Sequence, residues 1–160
     1  MSVYLSVAPP DGFTKWGDAE WDRWLREHPW EAAERICSRP DWAIFLYQVR
    51  QNAPAASKRL GPLLEQLVNE RPLGSQEAAD LREALALARA ELKKRTAAEM
   101  KQTNHGFAGE EDLDARIAAA QARLGREPVM SEIWEPLFDQ IDVILATAAA
   151  QKRGIYFGNV

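Results

Sequence analysis

Apolar and polar residues alternate at the start of the chain, where Val3, Leu5 and Val7 are separated by Tyr4 and Ser6. A period of two predicts a strand with one apolar face. Pro9, Pro10 and Gly12 end it, because proline cannot donate to a ladder and glycine suits a turn. The period then lengthens to three and four. Trp21, Trp24 and Leu25 share one helical face, with Asp18 as the N-cap. Pro29 closes that helix and opens a second, whose apolar stripe is Trp30, Ala33, Ile36 and Cys37; Pro40 closes this one in turn. Residues 41–50 hold Trp42, Ile44, Phe45, Leu46 and Val49. This run reads as a mostly buried helix, with a strand left open by its β-rich composition.

The second half is more regular. Leu60, Leu63, Leu64, Leu67 and Val68 make a helical stripe closed by Pro72, Leu73 and Gly74. Ser75 is a good N-cap for the longest predicted helix, from residue 76 to about 102. Its seam of Leu81, Leu85, Ala88 and Leu92 steps by four, three and four, as packed helices do. Leu113, Ile117, Ala120 and Leu124 repeat that step on the next helix, and Gly125 is its natural C-cap. Matching seams predict an antiparallel hairpin over 76–124, joined by a glycine-containing loop at 103–109 expected to be mobile. A last helix carries Trp134, Leu137, Phe138, Ile141, Ile144, Leu145 and Ala148 on one side, with Ser131 or Glu135 as its N-cap depending on how Pro136 is placed. Gly154 ends it, and Ile155, Tyr156 and Phe157 read as a final strand. Neither terminal strand can stand alone, so their pairing into one small sheet is expected. The whole predicts a single domain over 1–160, of the α+β class and mainly helical.

Composition supports one globular domain. The chain has 160 residues, 46% hydrophobic and 28% charged, with a net charge of −4. A general nucleic-acid binder would show a basic excess, so nucleic acid is not expected as a partner. The single cysteine excludes an intramolecular disulfide. No segment has the charge and apolar pattern of a secretory signal, and no run approaches a membrane span. A cytoplasmic protein without membrane contact is the expectation.

Chemistry-bearing patterns are sparse. His28 and His105 are the only imidazoles. Glu27, His28, Glu31 and Glu34 come nearest to a metal cluster, but Pro29 breaks their register, and neither metal nor cofactor is expected. Cys37 lies on an apolar stripe, where a cysteine is usually a small core residue. The glycine motifs of hydrolase elbows and phosphate cradles are absent from the sequence, so no catalytic residue is assigned. Arg89, Lys93, Lys94, Arg95 and Lys101 form the one cationic stretch, read as a solvated helix end. Glu110, Glu111, Asp112 and Asp114 suit a helix start. Glu132, Glu135, Asp139 and Asp142 step by three, four and three beside Trp134 and Phe138, and no Lys or Arg lies between Glu127 and Lys152. A carboxylate stripe rimmed by aromatics could dock a cationic partner, the alternative being an ordinary solvated face. Of the six tryptophans, Trp16 sits among loop residues and is the candidate exposed anchor.

The opening MSVYLSV and the ending FDQIDVILATAAAQKRGIYFGNV resemble the small bacterial YfbM-like family and its immunity-protein relatives. The likeness lies in a first short strand, a closing helix with a small-residue run at 146–150, a glycine and a final strand. It implies an α+β domain without cofactor, and the immunity relatives imply a cognate toxin that is bound and blocked. The expected function is therefore non-enzymatic protein binding of the immunity type. The proposed contacts are Glu132, Glu135, Asp139, Asp142, Trp134 and Trp16, and the partner a protein, such as a cationic toxin domain. Two rivals remain: a small enzyme or ligand-binding domain with a pocket near His28, Glu31 or Cys37, and a helical oligomerisation subunit that buries the 76–124 seams against a second copy.

Overall fold

The computed structural model describes residues 2–8, 19–28, 34–68, 71–103 and 110–159. Among them are eight helices and three strands: β1 (Ser2–Val7), α1 (Ala19–Glu27), β2 (Glu34–Ser38), α2 (Arg39–Asn52), α3 (Pro54–Val68), α4 (Ser75–Leu92), α5 (Ala97–Thr103), α6 (Glu110–Leu124), α7 (Met130–Ile133), α8 (Glu135–Ala150) and β3 (Ile155–Asn159). The fold is α+β and mainly helical. The strands form one antiparallel sheet in the order β2-β1-β3, so the two ends of the chain are paired as expected.

The second predicted helix is overturned. Ile36 and Cys37 belong to β2, not to a helical stripe. Both are buried although they are adjacent in sequence. A bulge explains this: Val3 faces Cys37 and Tyr4 faces Arg35, leaving Ile36 as an extra residue. That register break erases the period-two signature. Trp30, Ala33 and the N-cap candidate Asp18 lie outside the described residues, as does the 104–109 part of the loop expected to be mobile.

The open choice at 41–50 resolves as helix. Ser38 caps α2 by accepting from the Asp41 N–H at 3.2 Å. Pro40 stands in the first turn, where its missing N–H costs nothing, so it starts this helix instead of closing the previous one. Ile44, Phe45 and Val49 are buried on its inner face.

The longest predicted helix is two. α4 ends at Leu92 and the chain restarts as α5. Thr96 and Glu99 form a reciprocal capping box: the Thr96 N–H donates to the Glu99 carboxylate at 3.0 Å and the Glu99 N–H to the Thr96 hydroxyl at 3.3 Å. The break turns Ala97 and Met100 into the core, and the Arg95 carbonyl accepts from the Met130 N–H at 2.9 Å. At the other end Gly74, not Ser75, is the N-cap, and Glu77 reaches its N–H at 3.3 Å. The predicted hairpin is also overturned. The α4 seam packs chiefly on α3 and α8, while α6 lies on α7. The seam periodicity specifies a buried face without naming its partner.

Gly125 ends α6 with φ +68°, the left-handed cap conformation expected of it. α8 begins differently from either expectation: Trp134 is the N-cap, Glu135 the first helical residue, and Ser131 belongs to the short helix α7 before it. Lys152, at φ 52°, turns the chain after α8, a role expected of Gly154. Gly154 serves another end. A Cβ there would overlap the Leu73 carbonyl, because the segment around Leu73 pairs with Ile155 through bonds of 2.9 and 3.0 Å. The core joins α2, α4, α8 and the sheet, and its centre is aromatic: the Phe45 ring lies edge-on to Trp134 and Phe138, at 5.4 and 5.3 Å.

Candidate functional site

Three of the four predicted carboxylates share one side of a helix, α8, whereas Glu132 stands on the separate short helix α7, and the stripe is not a bare acidic face. Glu135, Asp139 and Asp142 line the side of α8 toward α4. On α4, Arg82 and Arg89 are seven residues apart and so occupy one face. Arg82 grips Asp142 with two bonds, 2.7 and 3.3 Å. Arg89 spans Asp139 at 2.7 Å and Glu135 at 3.2 Å, its guanidinium 5.6 Å from the centre of the Phe138 ring. From the end of α6, Arg123 approaches Glu135 at 3.5 Å and donates to the Glu132 carbonyl at 2.9 Å. Arg126 forms a two-pronged pair with Glu132, 2.7 and 2.9 Å, and the Val129 N–H donates to the same carboxylate at 3.0 Å. These bonds hold the Glu132 carboxyl down at about 2, the arginine pair contributing most.

The result is a ridge in which four carboxylates meet four guanidinium groups, neutral and alternating in sign. Trp134 is no part of its surface. It is 0% exposed, packed beneath Arg116, whose guanidinium lies 4.7 Å from its ring. Trp16 lies outside the described residues. Val143, 64% exposed, follows Asp142 on α8 and is the one large exposed hydrophobic side chain among the described residues.

Beside the ridge, between α4 and the stretch from 126 to 135, lies a cleft of about 660 Å³. Arg89, Lys93, Arg126, Ser131, Glu132 and Glu135 line it, with Val129 and two alanines. Arg82, Arg123, Arg126, Ser131 and Lys93 are not among the site residues expected from sequence. The spacing of Arg82 and Arg89 is the available signal, since two cations two turns apart on an apolar-seamed helix mark a flank that a partner helix can meet.

The residues of the ligand-pocket rival separate into other settings. His28 stacks on Trp24 with ring centres 3.6 Å apart, its Nδ1 3.0 Å from the Trp24 carbonyl. Cys37 is buried in β2, and burial, aided by nearby Asp41, pushes its thiol up to about 11. Glu31 lies outside the described residues. The cavity beside Trp42 and Ile36 is apolar and holds about 10 Å³, room for a single water at most. No group of three or more His, Cys, Asp or Glu able to hold a metal occurs among the described residues. The oligomer rival loses its surface, because Leu81, Leu85, Ala88 and Leu92 are buried within the chain. No described helix is long and apolar enough to cross a membrane. The basic stretch divides: Arg89 joins the ridge, Lys101 pairs with Asp114 at 2.7 Å, and Lys93, Lys94 and Arg95 are exposed.

No protein-family model, curated protein or solved structure matches the chain.

Proposed function

We propose that the protein is a binding module for another protein, acting as an immunity-type inhibitor of a cognate toxin in the bacterial cytoplasm. The observation that carries the reading is the ridge. Its charged groups stand on packed helices, except Arg126 on the turn just after α6, and hold one another in place before any partner arrives. Prearranged side chains lose little freedom on association, and an alternating charge pattern sets register and rejects wrong partners. Val143 adds an exposed apolar contact beside it. The likeness of the chain ends to immunity-type proteins supports the same reading.

The ridge also revises the partner's chemistry. A purely cationic surface would have to displace four arginines already bonded to the carboxylates. A surface of mixed charge, matching arginine with acid and acid with base, meets no such opposition. The test begins with affinity capture of the crosslinked partner from native cells and its identification. Affinity is then measured with purified components by calorimetry. Replacing Glu132, Glu135, Asp139 and Asp142 together by Ala should weaken binding and abolish protection of cells producing the partner, while circular dichroism stays native. Unchanged affinity, or a partner whose production harms no cell, removes the reading.

A further inference from the structure

We infer that the cleft beside the ridge seats a carboxylate side chain from an acidic peptide segment of the partner; this rests on the binding reading above. The groups with bonding capacity left over point to it. Both acids in the cleft already face arginine. Glu132 accepts from Arg126 twice and from the Val129 N–H, and Glu135 accepts from Arg89 and lies 3.5 Å from Arg123. Arg89 and Arg126 are correspondingly engaged. Two groups remain. Lys93 lines the cleft, is exposed, and makes no ion pair with a described residue. Ser131 lines it from the other side and is only 6% exposed as a residue, and its hydroxyl is not among the buried side-chain atoms left without a partner, so it faces the open cleft.

An ammonium has only donors to offer, and a serine hydroxyl can donate as well. The unmet capacity is therefore largely for donation, and its complement is an anion. Charge agrees: three cations against two carboxylates leave one net positive charge in the cleft. The C-terminal end of α4 beside Lys93 opposes an anion, and the adjacent cations Lys94 and Arg95 offset it. Size agrees as well, since about 660 Å³ falls among ordinary binding clefts and exceeds what a lone inorganic ion would fill. The site is thus the cationic counterpart, on the same face, of the ridge acids.

The experiment is an NMR titration of the isotope-labelled full chain with a hexaglutamate peptide at low ionic strength, with hexalysine and free glutarate as parallel probes. Hexaglutamate should shift amides of 89–93 and 126–135 selectively. Lys93→Gln should raise its Kd about tenfold, the order expected for one charge-assisted bond. Ser131→Ala should raise it less, and Lys58→Gln, on the exposed surface of α3, should leave it unchanged. Shifts spread equally over all surface cations, or a preference for hexalysine, overturn the inference. Glutarate binding as tightly as the peptide overturns the peptide source. The binding reading fails separately. If Lys93→Gln leaves hexaglutamate bound while the four-carboxylate variant loses the partner, anion seating falls and the binding reading stands. If hexaglutamate seats as described but that variant keeps its partner, the ridge reading falls instead.

Discussion

Replacing Glu132 separates the structural role of the ridge from its charge. The carboxylate serves twice at the start of α7. It accepts the Val129 N–H at 3.0 Å, half of a capping box, and it grips Arg126 with bonds of 2.7 and 2.9 Å. A cap of this kind contributes about 1 kcal/mol. The Arg126 side of the pair is 57% exposed, so screening leaves it a minor stabiliser. Glu132→Ala removes both and should destabilise by about 1 kcal/mol, lowering Tm by roughly 2–4 °C for a chain of this size. Glu132→Gln keeps an oxygen for Val129 and should cost less than half as much. The pH dependence follows from the depressed carboxyl, which stays ionised in the fold down to about 2. Above the ordinary glutamate value of about 4.3 both folded and unfolded states are ionised and the full advantage over Gln is present; it is lost as pH falls from there toward 2. Urea denaturation of both variants and the wild type, at neutral pH and at about pH 3, measures this. Three results would refute the reasoning: Gln costing as much as Ala, a wild-type advantage over Gln that does not shrink on acidification, or no coupling between Glu132 and Arg126 in a double-mutant cycle.

Other consequences are sharp enough to measure. Trp134→Ala should cost about 3–5 kcal/mol, the range for emptying a large aromatic site. Trp134→Phe should cost far less by calorimetry, since it also removes a buried indole N–H that has no hydrogen-bond partner among the described residues. Gly154→Ala should lower Tm sharply, because its Cβ would meet backbone at Leu73 that cannot yield without breaking the pairing to Ile155; a native-like melting curve would contradict this. Cys37, buried and with its thiol pushed up to about 11, should react slowly with a disulfide reagent at neutral pH and rapidly once the chain is unfolded in urea. Fast labelling of the folded protein would place it at the surface.

Much of the fold is legible in the sequence, and the departures have local causes. The capping box at Thr96 and Glu99 is in plain view, yet the polar run after Leu92 reads as a continuing helix because lysine, arginine, glutamate and alanine all favour one. Burial of Ala97 and Met100 supplies the reason to stop, and burial is not a local property. β2 resembles a helix in sequence because the bulge at Ile36 places two adjacent residues in the core, which mimics a helical stripe. Gly154 is the residue type its position requires, though for a reason other than the one its place after a helix suggests. It needs room for a neighbouring backbone, not a left-handed φ. The carboxylates are visible in the sequence, but apart from Arg126, six residues before Glu132, their counter-ions lie well away along the chain. They come from α4, up to 60 residues away, and from the end of α6.

Within its own pattern the chain determined a mainly helical α+β domain, the paired terminal strands, the inner faces of α4, α6 and α8, and the cap at Gly125. Each follows from periodicity or from a residue whose backbone preference acts over one or two turns. Which seam met which was decided only by the tertiary structure, because apolar surfaces are non-directional and any seam of the right step will bury against another. The character of the candidate site was decided there too. The same four carboxylates read as an acidic face along the sequence and as half of a neutral ridge in the fold. Charge is summed over space, and Arg82 and Arg89, 46 to 60 residues away in sequence, are neighbours of the α8 acids in three dimensions.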